Sequence, residues 1–464
     1  MARLVRTREI SPVELVRTHL ERIDTWNPGL NAFIHVDAEG ALAAAADAER
    51  AVLHGEPPGP LHGVPISIKS SVAVSGMPWE TGSRSRLGFR ADGDAVLVQR
   101  ARAAGAIVIG VTNVAEGLMA WETDNAIYGR TNNPWDAART PGGSSGGESA
   151  AIAAGLSAGG VGSDGGGSIR VPAHFTGIVG LKPTPGRVPA TGHFPPCGGP
   201  FALTGVVGPM ARTVDDVRLL LEAIAGPDAG DPNGHPVPLT RLPRRHVLRV
   251  GVFEDDGRTP VEDGIRQAVR RAARALESAG VEVVPFRPAW LEEARELWWE
   301  IFGRASRLLL EPALDGHEAD VHPNLVEFVG WTKRLPRLTA ERLLDVEIAR
   351  DALRARMLRD MEEMPVLLCP VAAVTAFEHG EREWEIDGRR VHYLDAWSYA
   401  AWFNLLQNPA VSVPAGLTAG GLPVGVQVVA RPWDELTALD VARTIEAELG
   451  GYVPPPLVHV PDER

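Results

Sequence analysis

Two glycine-rich runs constrain this chain more than any other feature. Arg139-Thr-Pro-Gly-Gly-Ser-Ser-Gly-Gly-Glu148 and Gly162-Ser-Asp-Gly-Gly-Gly-Ser-Ile-Arg-Val-Pro172 set Ser144 and Ser168 24 residues apart, each in backbone with little side-chain bulk. Consecutive glycines let several backbone N–H groups converge on one point, which is what a developing oxyanion requires. The pattern outlines an acyl-transfer site. It also demands a base, because a serine hydroxyl is too weak an acid to ionise unaided.

A base is offered upstream, in Leu61-His-Gly-Val-Pro-Ile-Ser-Ile-Lys-Ser-Ser-Val-Ala-Val74. Alternating apolar residues at Val64, Ile66 and Ile68, continued by Val72 and Val74, predict a half-buried strand with Ser67, Lys69 and Ser71 on one face. Lys69 is the only charge between Leu61 and Met77. Burial in such surroundings disfavours the ammonium form and lowers the pKa, leaving an amine able to take a proton. The competing expectation is a lysine that snorkels to solvent from a strand end.

These residues together resemble the amidase signature family, whose members hydrolyse amides through a Ser-cisSer-Lys triad. The resemblance continues through Thr131-Asn-Asn-Pro-Trp135, Gly177-Ile-Val-Gly-Leu-Lys-Pro-Thr184, Gly208-Pro-Met-Ala-Arg-Thr-Val-Asp-Asp216, Asn408-Pro-Ala-Val-Ser-Val-Pro-Ala-Gly416 and Gly421-Leu-Pro-Val-Gly-Val-Gln427. It implies Ser168 as nucleophile, Ser144 as the bridging serine after a cis peptide, and Lys69 as base. It implies an oxyanion hole from the N–H groups of Gly165, Gly166, Gly167 and Ser168, with Ser145 and Arg170 in support. It also implies an acyl side lined by Leu118, Met119 and Trp121, with Ile169 beside the nucleophile. The fold it implies is α/β, a central mixed, mostly parallel sheet sandwiched between helices. Two departures stand out: Ser70 follows the lysine where relatives often carry an acid, and Gly165 replaces a larger residue, which predicts a looser oxyanion loop.

Apolar lining favours uncharged amides, with anilides, esters and carbamates sharing the tetrahedral chemistry. The segment from Tyr128 to Pro200 looks most like the fatty-acid-amide-hydrolase-like branch. The enzymatic rival is the A subunit of glutaminyl-tRNA amidotransferase, which uses the same triad to release ammonia for a partner. Its usual Ser-Ser-Leu-Asp-Gln-Ile-Gly-Pro segment is replaced here by Phe201-Ala-Leu-Thr-Gly-Val-Val-Gly-Pro209. A non-catalytic binding protein on the same fold is the reading of a different class.

Charge adds a separate expectation. No Asp or Glu falls between Gly165 and Val214, while Arg170, Lys182, Arg187 and Arg212 do, inside a chain of net charge −13. That predicts a positive field favouring an oxyanion and a neutral lysine, with Asp164 ordering the loop. Gly160-Val-Gly-Ser-Asp-Gly165 has dinucleotide-binding spacing, but Pro172 and the acid-free segment argue against it. Gly143-Ser-Ser-Gly-Gly147 fits a nucleophile elbow, whose triad would draw on His392 or His459, neither in a distinctive setting. Cys197 and Cys369 alone exclude a disulfide framework and a metal-ligand cluster. Cys197 lies in a flexible-looking loop where it could be exposed. No cofactor, metal or nucleic-acid partner is expected, the partner being a small amide; a homo-oligomer is left open.

The chain reads as one domain over 1–464, with connections at Pro227–Pro238 and Arg241–Arg249 and a helical region at about 287–362 over the pocket, rich in Trp298, Trp299 and Phe302. Helices are predicted at Asp94–Ala104, Thr213–Ala225, Val261–Ala279, Trp290–Leu310 and Thr339–Met361. Strands are predicted at Ala106–Gly110, Leu248–Phe253 and Val281–Phe286, an alternation that suits a largely parallel sheet. Ser11-Pro-Val-Glu14 is a capping box with proline at the first helical position. The uncharged run Ser149–Ser163 reads as a small-residue helix, too short and glycine-rich to span a bilayer. With no signal-peptide core at the N-terminus, a cytoplasmic location is expected.

Overall fold

A computed structural model describes residues 1–241, 248–316 and 318–456. Its centre is an eleven-stranded sheet drawn from most of the chain: β1 (Phe33–Val36), β2 (Pro65–Lys69), β3 (Ile107–Thr112), β4 (Gly159–Asp164), β5 (Val179–Lys182), β6 (Val206–Ala211), β7 (Arg249–Val252), β8 (Glu282–Pro285), β9 (Val366–Pro370), β12 (Ala410–Leu417) and β13 (Pro423–Ala430). The order is β1-β3-β2-β4-β6-β5-β12-β13-β9-β7-β8. The remaining two strands, β10 (Glu383–Ile386) and β11 (Arg389–His392), form a separate hairpin. Parallel ladders gather in two groups, β3-β2-β4 and β9-β7-β8. Between them, and at the β1 edge, pairing is antiparallel. The sheet is mixed, as the resemblance implies, with parallel pairing less extensive than helix–strand alternation alone predicts.

Strand β3 shows why helices cover both faces. Ile107 and Ile109 join a cluster with Val16, Leu20 and Ile23 of the helix Pro12–Leu30 and with Ala150 and Ala151 of the helix Gly146–Ala153. Val108, between them, joins the larger cluster with Val98 of the helix Val96–Ala103 and Leu221 of the helix Val214–Ile224. Period-two alternation sends neighbours to opposite faces, so each face needs its own apolar layer. The capping box at Ser11 is formed in full, with Pro12 at the first position. Thr213 caps the helix Val214–Ile224 by accepting from the Asp216 N–H.

Two sequence expectations are corrected here. The run Ser149–Ser163 is not one helix: the helix ends at Ala153 and the chain returns as β4. Glycines at 159, 160 and 162 allow close packing against β2 and β6; a Cβ at Gly160 would overlap the Ser67 carbonyl and the Glu148 carboxylate. Likewise β2 is not half-buried, since all five of its residues are covered and Ser70 and Ser71 lie in the turn beyond it. Ser67 and Lys69 do share a face. Of the two boundary candidates, Pro227–Pro238 is irregular chain, and residues 242–247 of the second lie outside the described residues, as does His459.

The predicted Trp290–Leu310 helix is three consecutive pieces, Leu291–Trp298, a π-helical turn Trp299–Gly303, and Arg304–Leu314. π-turns of this kind recur at functional sites. With the helix Pro323–Thr332 they bring Trp298, Phe302 and Phe328 over the C-terminal end of β4. The helix Ala340–Glu363 instead buries Leu353 and Met357 in the core and contributes nothing to the pocket lining. No helix of the described residues is long and apolar enough to cross a membrane.

Candidate active site

Lys69 ends β2 with 0% exposure, which eliminates the snorkelling alternative. Its Nζ lies 2.8 Å from Ser144 Oγ, 2.8 Å from Ser145 Oγ and 3.0 Å from Ser163 Oγ. Burial draws the ammonium down to about 7, against the upward pull of the Asp164 and Glu148 carboxylates. Glu148 is itself wholly buried and accepts from Ser67 Oγ at 2.5 Å and Thr112 Oγ1 at 2.7 Å. Burial raises its carboxyl to about 7 despite those donors and Lys69. Both members of the lysine–glutamate pair are therefore pushed toward neutrality.

The two candidate bridging serines differ in what their hydroxyls are committed to. Ser145 donates to the Ser163 carbonyl at 3.2 Å, so toward Lys69 it accepts. Ser144 has no such commitment and faces the pocket that Ser168 also lines. The Gly143–Ser144 peptide is cis. A Cβ at Gly143 would stand 2.6 Å from the Glu122 carbonyl oxygen, so the close approach requires glycine. The Ser145 N–H donates to the Ser168 carbonyl at 3.2 Å, joining the two glycine loops. Ser168 is 8% exposed, and among the described residues its hydroxyl has no hydrogen-bond partner.

Asp164 builds the second loop. It accepts from the N–H groups of Gly167 at 2.7 Å and Ile169 at 3.1 Å, and from Arg170 Nε and Nη2 at 3.0 Å each. Burial would raise its carboxyl, but Arg170 and these donors hold it well below the usual carboxylate range. Arg170 is completed by Ala400 O, Gln427 Oε1 and Asn404 Oδ1. Because the Gly167 N–H is spent on Asp164, the donors free to meet an oxyanion are those of Gly165, Gly166 and Ser168. Gly167, expected among the oxyanion donors, has its N–H committed to the loop itself.

The pocket in front of Ser168 is lined by Leu118, Met119, Trp121, Phe201, Val206 and the aromatic rings of Trp298, Phe302 and Phe328, with His193, Pro195 and Cys197 at one side. Leu118 adopts φ 67°, a left-handed conformation uncommon for a residue with a Cβ. Ile169 is not among the lining residues. It points into a separate apolar cluster with Ile152, Ile178 and Met210, since the helix that opens at Arg170 turns its side chain behind the loop.

A family model described as Amidase matches residues 14–439. The chain belongs to this family. An acylamidase of Rhodococcus erythropolis is 36% identical over 96% of this chain and 94% of its own length. The A subunit of a glutamyl-tRNA(Gln) amidotransferase, from Salinispora arenicola (strain CNS-205), is 35% identical over 98% of both chains. Among solved structures, 6-aminohexanoate cyclic dimer hydrolase complexed with its substrate superposes with a TM-score of 0.85 at 30% identity, covering 99% of this chain and 98% of that one. The chain is an amidase-type hydrolase of the amidase signature fold.

Other expectations are altered by the surroundings that this family member gives them. The positive field expected around the nucleophile is largely cancelled, because Arg170 pairs with Asp164 and Arg187 with Glu435 at 3.0 Å, while burial draws Lys182 down to about 7. Cys197 is half-buried rather than exposed, and burial pushes its thiol up to about 12, which makes it a poor nucleophile. His174 and His193 are buried, bonded to backbone groups and drawn down to about 4 by burial. His392 stacks on Trp331, away from either glycine loop. The Gly165 loop is not left loose: Phe302 occupies the space of a larger side chain, 2.8 Å from where a Cβ would sit. Glu148, Ser163, Phe201, Val206 and Phe328 are among the site residues that the sequence reading missed.

Proposed function

We propose that the enzyme cleaves the C–N bond of uncharged amides with apolar acyl groups, through Ser168 as nucleophile, Ser144 as proton bridge and Lys69 as base. The observation that carries this reading is Lys69, wholly buried, drawn down to about 7 and 2.8 Å from the Ser144 hydroxyl. A neutral lysine has two N–H bonds and one lone pair. Ser145 and Ser163 are placed to accept the N–H bonds, which turns the lone pair to Ser144. In the proposed reaction the Ser168 hydroxyl, with the substrate seated, passes its proton to Ser144 Oγ as Ser144 passes its own to Lys69. Ser168 Oγ bonds to the carbonyl carbon, and the new oxyanion meets the N–H groups of Gly165, Gly166 and Ser168. The proton then returns along the same path to the departing nitrogen, leaving an acyl-enzyme that water opens by the reverse relay.

The apolar, aromatic lining supports neutral substrates. The amidotransferase relatives make glutamine the rival, but its α-carboxylate needs a cationic partner, and the described residues that line the pocket include no lysine or arginine. A panel of neutral anilides, alkyl amides, carbamates and glutamine, incubated with the chain alone, tests the reading. Free carboxylic acid from the neutral amides is expected. Turnover of glutamine alone overturns the substrate assignment.

A further inference from the structure

The N–H groups of an oxyanion loop act only if its peptide planes are held, and glycines do not hold themselves. In this chain the carbonyls of that loop are gripped from outside. Trp298 Nε1 donates to Gly165 O at 3.1 Å and Trp121 Nε1 donates to Gly166 O at 2.8 Å. In a trans peptide the carbonyl and the following N–H point in opposite directions. The first bond therefore aims the Gly166 N–H, and the second aims the Gly167 N–H, which meets Asp164 Oδ1 at 2.7 Å.

Both indoles are buried and fixed by other rings. Trp298 stacks on Phe302 at 4.8 Å and 16°, and Trp121 on Trp397 at 5.4 Å and 21°. A Cβ at Gly166 would stand 2.6 Å from Trp298 Cζ2, so the ring lies directly against the backbone. Such bonds are not automatic in this core: the buried indole nitrogens of Trp397 and Trp402 have no partner among the described residues. Trp298 belongs to the roof helix, which thereby does more than cover the substrate.

We propose that Trp121 and Trp298 are positioning residues of the reaction, a two-point clamp in which the Trp298 indole N–H sets the direction of the Gly166 oxyanion donor and the Trp121 indole N–H fixes the next peptide, whose N–H anchors the loop on Asp164. The proposal rests on Ser168 being the nucleophile. Its test is Trp298→Phe, which keeps a ring and removes the donor, alongside replacement of Trp298 by benzothienylalanine, which keeps the bicyclic shape as well. Misaiming a donor is expected to cost about tenfold in kcat, short of the about 100- to 1,000-fold of losing one outright. KM for a neutral anilide should change by less than about twofold, since that substrate's ground state gains little from the oxyanion donors. A trifluoromethyl ketone, which forms a tetrahedral adduct, should lose affinity in proportion to kcat/KM in both variants. Trp433→Phe, at a ring that packs on His235 and Arg187 and is not among the residues lining the active-site pocket, should leave all three unchanged.

An unchanged kcat and ketone affinity in the benzothienylalanine protein overturns the clamp, as does a rise in KM that accounts for the whole loss. A fluorophosphonate with mass analysis separates this failure from the other. Label on Ser168 with unchanged kinetics removes only the clamp, whereas label on another residue removes the nucleophile assignment as well.

Discussion

The floor and the roof of the pocket are built by opposite means. The floor, from β2, β4 and the two glycine loops, is held by directional bonds between buried polar groups: Lys69 with three serines, Asp164 with three backbone donors and Arg170, Glu148 with Ser67 and Thr112. The roof, from the helices Leu291–Trp298 and Pro323–Thr332 and the π-turn between them in sequence, meets the pocket through rings that pack edge-on or stacked, such as Phe201 on Phe302 and Trp298 on Phe302. Directional networks fix atoms to fractions of an ångström and fail sharply when one member is removed. Apolar contacts tolerate exchange if volume is kept. In the proposed reaction chemistry sits on the floor and selectivity in the roof, except at Trp298, whose indole N–H reaches the Gly165 carbonyl of the floor, and the other substitutions should sort by which surface they touch.

The largest effects belong to the floor. Ser168→Ala should lower kcat by at least about 10,000-fold, on the scale seen when a serine nucleophile is deleted, while leaving the thermal unfolding midpoint near that of the parent. Lys69→Ala should be comparably severe. Since burial draws Lys69 down to about 7 and the proposed base acts as the neutral amine, kcat/KM should rise through about pH 7 and level off above it. Lys69→Arg should not restore activity, because a guanidinium stays protonated. A pH limb that survives Lys69→Ala, or one that vanishes on changing His62, His174 or His193 to Ala, assigns the base elsewhere.

Next in size is a loss of stability rather than rate. Arg170 and Asp164 are fully buried, so Arg170→Met strands a carboxylate and should destabilise the fold by about 3–5 kcal/mol in urea titration. A loss below about 1 kcal/mol means that the network around Asp164 re-forms without the guanidinium. The roof should answer differently. Phe328→Leu removes ring surface from the pocket and should raise KM for aryl amides up to about tenfold with kcat nearly constant, the range that small changes in an apolar pocket give. A kcat loss larger than the KM change breaks the division between the two surfaces.

That division also governs what the sequence disclosed. That Ser144 and Ser168 meet at one pocket was legible because the glycine and serine of their two runs answer to backbone demands that little else satisfies, and that Lys69 joins Ser144 was legible because it is the one charge in an apolar strand. The capping box at Ser11 and the closing strands β12 and β13 were legible for the same local reason. Ile169 was misplaced because its proximity to Ser168 in sequence says nothing about the direction a helix turns it. Phe328 was missed because an aromatic at helical spacing reads as core until tertiary contacts choose its neighbours. The acid-free segment promised a positive field, but Asp164 stands one residue before it and Glu435 far beyond it, and charge in a fold is settled by distance in space. Parallel pairing was overread because alternation of helix and strand does not specify which strands become neighbours.

The smallest expected effect tests how finely the floor is tuned. Glu148 is isolated from solvent, contributes a negative charge near Lys69, and pulls that lysine's pKa upward against burial. Glu148→Gln is nearly isosteric. Its amide oxygen keeps the Ser67 donor, and its amide N–H groups can face Thr112 Oγ1, whose hydroxyl then turns to the Ile68 carbonyl already 3.4 Å away. With the charge gone, the ammonium form of Lys69 loses support and its pKa falls, so the limb of kcat/KM should move to lower pH by less than about one unit. The plateau above the limb should stay within a few-fold of the parent, because neutral Lys69 keeps Ser144, Ser145 and Ser163. The stability profile carries the sign of the glutamate. Its folded pKa is raised from the ordinary 4.5 to about 7, so relative to the parent the variant should gain stability as pH rises from about 4.5 to about 7, where the unfolded parent ionises and the folded carboxyl does not, and the gain should level off above that. A limb that moves upward, or a plateau that collapses, would mean that Glu148 acts on the hydroxyls around Lys69 rather than on its charge.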